Sequence, residues 1–188
     1  NSATRAKDAG ATVKLDPSDI VSVNFSGGYH EDDTRLPGAI LQSEFAAGAD
    51  RTDSLHPNDF SDTEDFYAKT GLELFFLTQD AFRLDLAYRN RSVDQFASFV
   101  DGWFGGDTRI DTLSASPRFT FQEAFGEVSN RIVFGADFAK TEEKINNTFV
   151  NSFGTATDSD ELEKKSQGYF AHDDLGVTRN LTLSGGYR

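Results

Sequence analysis

An all-β fold, an antiparallel up-and-down meander of about eight strands, is predicted by three features of this 188-residue sequence. Apolar and polar residues alternate with a period of two in segment after segment, while the helical period fails almost everywhere. Short and long connections alternate along the chain. The polar positions within the strands themselves carry charges.

The first segment sets Ala9, Ala11, Val13 and Leu15 against Gly10, Thr12, Lys14 and Asp16. Asp16-Pro17-Ser18-Asp19 follows, a type I turn sequence in which Pro pre-sets φ. The second sets Val21, Val23, Phe25, Gly27 and Tyr29 against Ser22, Asn24, Ser26, Gly28 and His30. The third alternates over Ala68–Phe76 and the fourth over Phe82–Arg91, with only Thr78-Gln79-Asp80 between them. The fifth spans Thr112–Phe121 and the sixth Ile132–Ala139, linked through Glu123–Ser129. The seventh, Ser166–Val177, alternates less cleanly. After Thr178-Arg179-Asn180 the eighth sets Leu181, Leu183, Gly185 and Tyr187 against Thr182, Ser184, Gly186 and Arg188.

The other connections are expected to be long loops, at about Glu31–Asp65, Val93–Arg109 and Thr141–Lys165. Short turns at one end and long loops at the other describe a transmembrane barrel, which closes because lipid offers no partner for backbone polar groups. The polar face carries Lys69, Glu73, Arg83, Asp85, Arg89, Arg91, Arg118 and Asp137, as a wetted lumen requires. Tyr29, Tyr88 and Tyr187 suit the aromatic girdles at the membrane interfaces.

Composition narrows the partners. Lys and Arg total 18 against 31 Asp and Glu, a net charge of −13, so the basic surface that nucleic acid needs is missing. No run of about 18 apolar residues can form a transmembrane helix. Without Cys there is no disulfide framework or thiolate metal site. Without Met, the chain is expected to be a mature or excised segment.

The segment Gly168-Tyr169-Phe170-Ala171-His172-Asp173-Asp174, followed by Leu181-Thr182-Leu183-Ser184-Gly185-Gly186-Tyr187-Arg188, resembles a strand pair of TonB-dependent outer-membrane receptors, with His172 where Gln is usual. Ser26-Gly27-Gly28-Tyr29-His30-Glu31-Asp32-Asp33 with Leu36-Pro37-Gly38-Ala39 resembles the first long barrel loop of such receptors. Pro117-Arg118-Phe119-Thr120 and Gly135-Ala136-Asp137-Phe138 fit later strands. The resemblance runs from Ala11 onward. It implies a bacterial outer-membrane location and a barrel whose N-terminal plug and TonB box do not match any stretch of residues 1–188. It also implies that residues 1–188 are one internal segment of that barrel, since Arg188 stands where the terminal aromatic of such barrels is usual. The expected partners are outer-membrane lipid, an extracellular small ligand such as an iron chelate, and TonB through the plug alone.

Trp103 and Phe104, in Asp101-Gly102-Trp103-Phe104-Gly105-Gly106, are the candidate cargo contacts, because aromatics on a long loop can grip a flat or greasy ligand. Anchoring of the loop itself is the equal alternative. Arg83, Arg89, Arg91 and Arg118 could bind an anionic cargo. Mutual pairing with Glu73, Asp85 and Asp137 is the preferred reading, since opposite charges share the face. His30, His56 and His172 are too scattered for a metal set, and Asp158–Glu163 lacks the spacing of a calcium loop. No cofactor, nucleophile elbow or phosphate loop is read. The expected function is therefore uptake of a scarce nutrient, ferric siderophore above all, by a non-enzymatic receptor. Its rivals are a complete eight-stranded outer-membrane barrel and a soluble β-sandwich that binds a ligand.

Overall fold

The computed structural model describes residues 3–36, 38, 42–48, 56–76, 80–126, 128–178 and 180–188. They form β1 (Thr4–Ser18), β2 (Val21–Arg35), a short helix α1 (Gln42–Ala46), β3 (Phe60–Phe75), β4 (Ala81–Phe99), β5 (Gly102–Phe125), β6 (Val128–Asn151), β7 (Gly154–Thr178) and β8 (Leu181–Tyr187). All eight strands lie in one sheet in chain order, and each pairs antiparallel with its neighbours. β1 and β8 are its two edges, so the eight strands do not close on themselves as a complete small barrel would. Nor, among the described residues, does a second sheet cover the first. Val133 and Ala136 are the only buried hydrophobic side chains among the described residues, whereas a sandwich would bury a whole apolar face.

The apolar face is continuous across strands. One row of register partners reads Val21, Leu74, Phe82, Phe119, Phe134, Ala171 and Tyr187, from β2 to β8. Within it the rings of Phe82 and Phe119 lie 4.7 Å apart, and those of Phe119 and Phe134 5.4 Å. Such rows stay open to the surroundings, with Leu113 59% and Tyr169 61% exposed. A face this apolar and this uncovered needs a non-aqueous environment.

The upper border of that face gives the tilt of the strands. It is marked by Tyr29 on β2, Phe66 on β3, Tyr88 on β4, Leu113 on β5, Phe138 on β6 and Tyr169 on β7. Register carries Tyr29 through Phe66, Asn90, Asp111 and Glu142 to Glu163 on β7. Tyr169, however, lies six residues further down β7. A drop of about 20 Å along the strands over about 24 Å across five strand spacings corresponds to a tilt of about 40°. Outer-membrane barrels tilt their strands by about 35–45°. From Val21 to Tyr29 the apolar band is then about 20 Å tall along the membrane normal, near the roughly 25 Å of such barrels.

The connections differ from expectation in two ways. Two of the three long loops are strand. β4 and β5 continue to a turn at Val100-Asp101, and β6 and β7 to a turn at Ser152-Phe153. Only 36–59 is a long connection. Gly102 permits the crowded tip beside β6, since a Cβ there would fall 1.8 Å from the Val150 carbonyl oxygen. The turn predicted at Asp16–Asp19 is instead at Asp19-Ile20. Pro17, which has no N–H to donate, sits in edge strand β1 where the register shifts between Leu15 and Ser18. The Thr78-Gln79 turn lies outside the described residues.

Candidate ligand-binding wall

The strand alternation that places apolar side chains on one face sends Arg83, Arg89 and Arg91 of β4 and Arg118 of β5 to the other. Two of these are held by carboxylates. Arg83 Nε donates to Asp85 at 2.8 and 3.1 Å, with Nη2 reaching the same group at 3.0 Å. Arg89 makes a two-pronged pair with Asp65 on β3, its Nε donating at 2.9 and 3.0 Å. Bidentate geometry of this kind fixes the guanidinium plane.

Arg91 and Arg118 have no ion pair among the described residues. Arg91 registers opposite Asp65, which Arg89 already occupies. Arg118 registers opposite Arg83 and lies over the Phe170 ring at 5.9 Å, a cation–π contact. Pairing within the face therefore accounts for Arg83 and Arg89. Of the acids expected to do the pairing, Asp85 takes Arg83 and Asp137 takes Arg188 at 2.9 Å.

Trp103 and Phe104 are strand residues, not loop residues. They sit at the start of β5, paired with Ser98 and Ala97 of β4, and they point to opposite faces. Trp103 belongs to the same face as the apolar band, far above it, and its ring lies 5.6 Å from Phe96, which stacks on Phe60 at 6.2 Å. The Arg35 guanidinium covers Phe60 at 5.4 Å. Phe104 is on the polar, lumenal face with Arg91 and Arg118.

Sequence reasoning missed the cluster that the polar face assembles on β1–β4. An open cavity of about 760 Å³ is lined there by Asp8, His30, Asp65, Tyr67, Lys69 and Arg89, among others. His30 Nδ1 lies 2.7 Å from Asp8 Oδ1 across the β1–β2 pair. The Tyr67 ring lies against Gly28, where a Cβ would meet it at 2.6 Å, and Lys69 Nζ sits 5.2 Å above that ring. Asp8, His30 and Asp65 are register partners in sequence, but that signal is visible only once the register is known. Among the described residues no three His, Asp or Glu side chains are arranged to hold a metal ion.

The sheet defines a class: the tilted wall of an outer-membrane-type β-barrel, apolar outside and charged inside. The particular wall is one whose fold is shared with solved uptake receptors and transporters. Over 98% of its length the chain superposes on the unliganded ferric citrate transporter FecA with a TM-score of 0.82 at 16% identity, covering 29% of that chain. Over 97% it matches the ferric yersiniabactin uptake receptor FyuA from Yersinia pestis, with a TM-score of 0.76, 14% identity and 29% of that chain. It also matches the RagAB peptide transporter, with a TM-score of 0.76 at 7% identity over 98% of this chain and 27% of that one. The chain thus spans less than a third of the length of these neighbours. No family model matches the sequence, and no curated protein does.

Proposed function

We propose that residues 1–188 are a single plugless segment of the barrel wall of a bacterial outer-membrane receptor that takes up a scarce nutrient, a ferric siderophore or similar chelate above all. The observation that carries this reading is the border of the apolar face, aromatic on five of six strands from β2 to β7, which descends at the angle a membrane barrel needs, with charged strand extensions above it. On this reading Arg91, Arg118 and Phe104 face the lumen and meet an anionic ligand. Arg83 and Arg89 shape the wall through their own carboxylates, and Trp103 stiffens the hairpin from outside. TonB would act through a plug that belongs to another part of the protein.

The test is fractionation of the source cells followed by immunoblotting with an antibody to the 36–59 connection. A band well above the 20.7 kDa of this chain, in the outer membrane and shaved from intact cells by protease, is expected. A soluble band, or one protected in intact cells, overturns the reading. Uptake is checked by deleting the gene and measuring iron-limited growth on a panel of ferric chelates. Loss of growth on none of them removes the iron assignment and leaves the wall.

A further inference from the structure

Asp59 immediately precedes β3 and is 4% exposed. Its carboxylate reaches across to the far end of β4, where the Ser98 N–H donates to both oxygens at 2.9 Å and the Ser98 hydroxyl donates to Oδ1 at 2.6 Å. That hydroxyl has one proton, so the contact of 2.7 Å between Ser98 Oγ and His56 Nδ1 requires the ring nitrogen to donate. A Ser, a His and an Asp thus meet, but in an order that cannot activate a nucleophile, because the serine hydroxyl donates to the carboxylate and accepts from the imidazole. The backbone joins in: Leu36 N–H donates to the Asp59 carbonyl at 2.9 Å, and Asp59 N–H to the His56 carbonyl at 3.2 Å.

This arrangement gathers the first and last residues of the 36–59 connection, Leu36 and Asp59, onto Ser98. Ser98 is the register partner of Trp103 and lies two residues before the Val100-Asp101 turn. We infer that Asp59 is a positioning residue that ties Leu36 and Asp59, the two ends of the 36–59 connection, to the tip of the β4–β5 hairpin, so that these anchor points and the tip move as one body. The β6–β7 hairpin pairs with β5 as far as Trp103 and Val150 but, among the described residues, has no buried carboxylate tie of this kind. Its tip is held by its own Asn151, whose Oδ1 accepts from the Phe153 and Gly154 N–H groups, and by a long contact of 3.4 Å from Ser152 Oγ to Asp101. The inference concerns mechanics and does not depend on what the receptor carries.

Val100 and Phe153 stand fully exposed at the two tips, and the chain has no Cys of its own, so each accepts a spin label. The experiment uses the full-length receptor in outer-membrane preparations, carrying Val100→Cys or Phe153→Cys, with Asp59 native, Asp59→Asn or Asp59→Ala. Losing three hydrogen bonds to a buried charge shifts a local opening equilibrium by roughly tenfold or more. Asp59→Ala is expected to raise label mobility at Val100 and speed protease cleavage within 36–59 by that order, with a smaller change at Phe153, whose hairpin borders β5. Asp59→Asn, which keeps an acceptor for the Ser98 N–H, is expected to restore most of the native line shape. Ser98→Ala removes the hydroxyl legs alone and gives a smaller rise, which keeps the test open should Asp59→Ala fail to assemble. Unchanged mobility at Val100 in either alanine variant, or an equal rise at both tips, overturns the inference.

Discussion

Above the aromatic border, the continuation of the apolar face is built in two different ways. On β6 and β7 it alternates in charge. Lys140 is bonded to Glu142 and lies 3.0 Å from Glu163, Lys165 lies 2.6 Å from Glu163, and Lys144 lies 3.2 Å from Glu161. On β2–β5 the corresponding surface is acidic. Asp33, Asp62, Asp94 and Asp107 are consecutive register partners on four neighbouring strands, with Glu31 opposite Glu64 one row nearer the membrane. Lys7 meets Glu31 at 2.9 Å, but Asp62, Asp94 and Asp107 have no ion pair among the described residues, and Asp62 Oδ1 is buried without a hydrogen-bond partner. Like charges directly opposed on neighbouring strands destabilise the pair. The β6–β7 hairpin therefore holds its long extension together by side-chain pairing. The β2–β5 wall carries an electrostatic cost offset elsewhere, at the buried Asp59 and in the stacked Phe60, Phe96 and Trp103 rings.

The comparison applies only above the membrane, and the largest expected effect marks that floor. Leu84 and Asn90 share one face of β4, Leu84 inside the apolar band and Asn90 one position above Tyr88. Leu84→Arg is expected to cost about 2–4 kcal/mol and Asn90→Arg about 0–1 kcal/mol in urea titrations of the lipid-embedded protein. Equal costs would move the border. Next, Asp94→Lys places a cation between Asp62 and Asp107 and turns two like-charge contacts into attractive ones. A gain of about 0.5–1 kcal/mol is expected at this exposed site. Lys140→Glu does the reverse on the other wall: Glu142 and Glu163 are register partners, and removing the cation between them leaves three acids together. It is expected to loosen β6–β7, read as faster amide exchange at Thr141–Lys165. A gain on Lys140→Glu, or a loss on Asp94→Lys, would erase the distinction between the two walls.

The same extensions show why the sequence revealed the strands but not their length. Within the band one face meets lipid and the other a wet lumen, so a period of two is written plainly from Val21 to Tyr29 and from Phe82 to Tyr88. Above the band both faces meet water, the alternation disappears, and Val93–Arg109 and Thr141–Lys165 look like loops although their backbones pair up to two-residue turns. Continuing the strand parity from Leu113 would have put Trp103, ten residues earlier, on the lipid-side face and Phe104 on the lumenal one. The arginine pairing was legible in kind, because opposite charges shared a face, but Asp65 was overlooked as a partner at the edge of an expected loop. The Asp59–Ser98 tie joins residues 39 apart, and no local pattern announces it.

Acid and salt give the smallest effects. Hydrogen bonds from Lys165 and then Lys140 hold the Glu163 carboxyl below the usual glutamate range, against a smaller opposing effect of desolvation. A carboxylate whose folded pKa is depressed adds stability that is present above its unfolded value and is lost as pH falls through the folded one. The β6–β7 extension should accordingly loosen once the pH drops below about 4. Added salt acts on both walls at once, because both are exposed and screening at about 1 M shortens the Debye length to roughly 3 Å. It removes attraction on β6–β7 and repulsion on β2–β5. Amide exchange measured between low and high salt should therefore quicken along Thr141–Lys165 and slow along Asp62 and Asp94. Changes of the same sign on both walls would show that pairing around Lys140 contributes nothing to holding the hairpin upright.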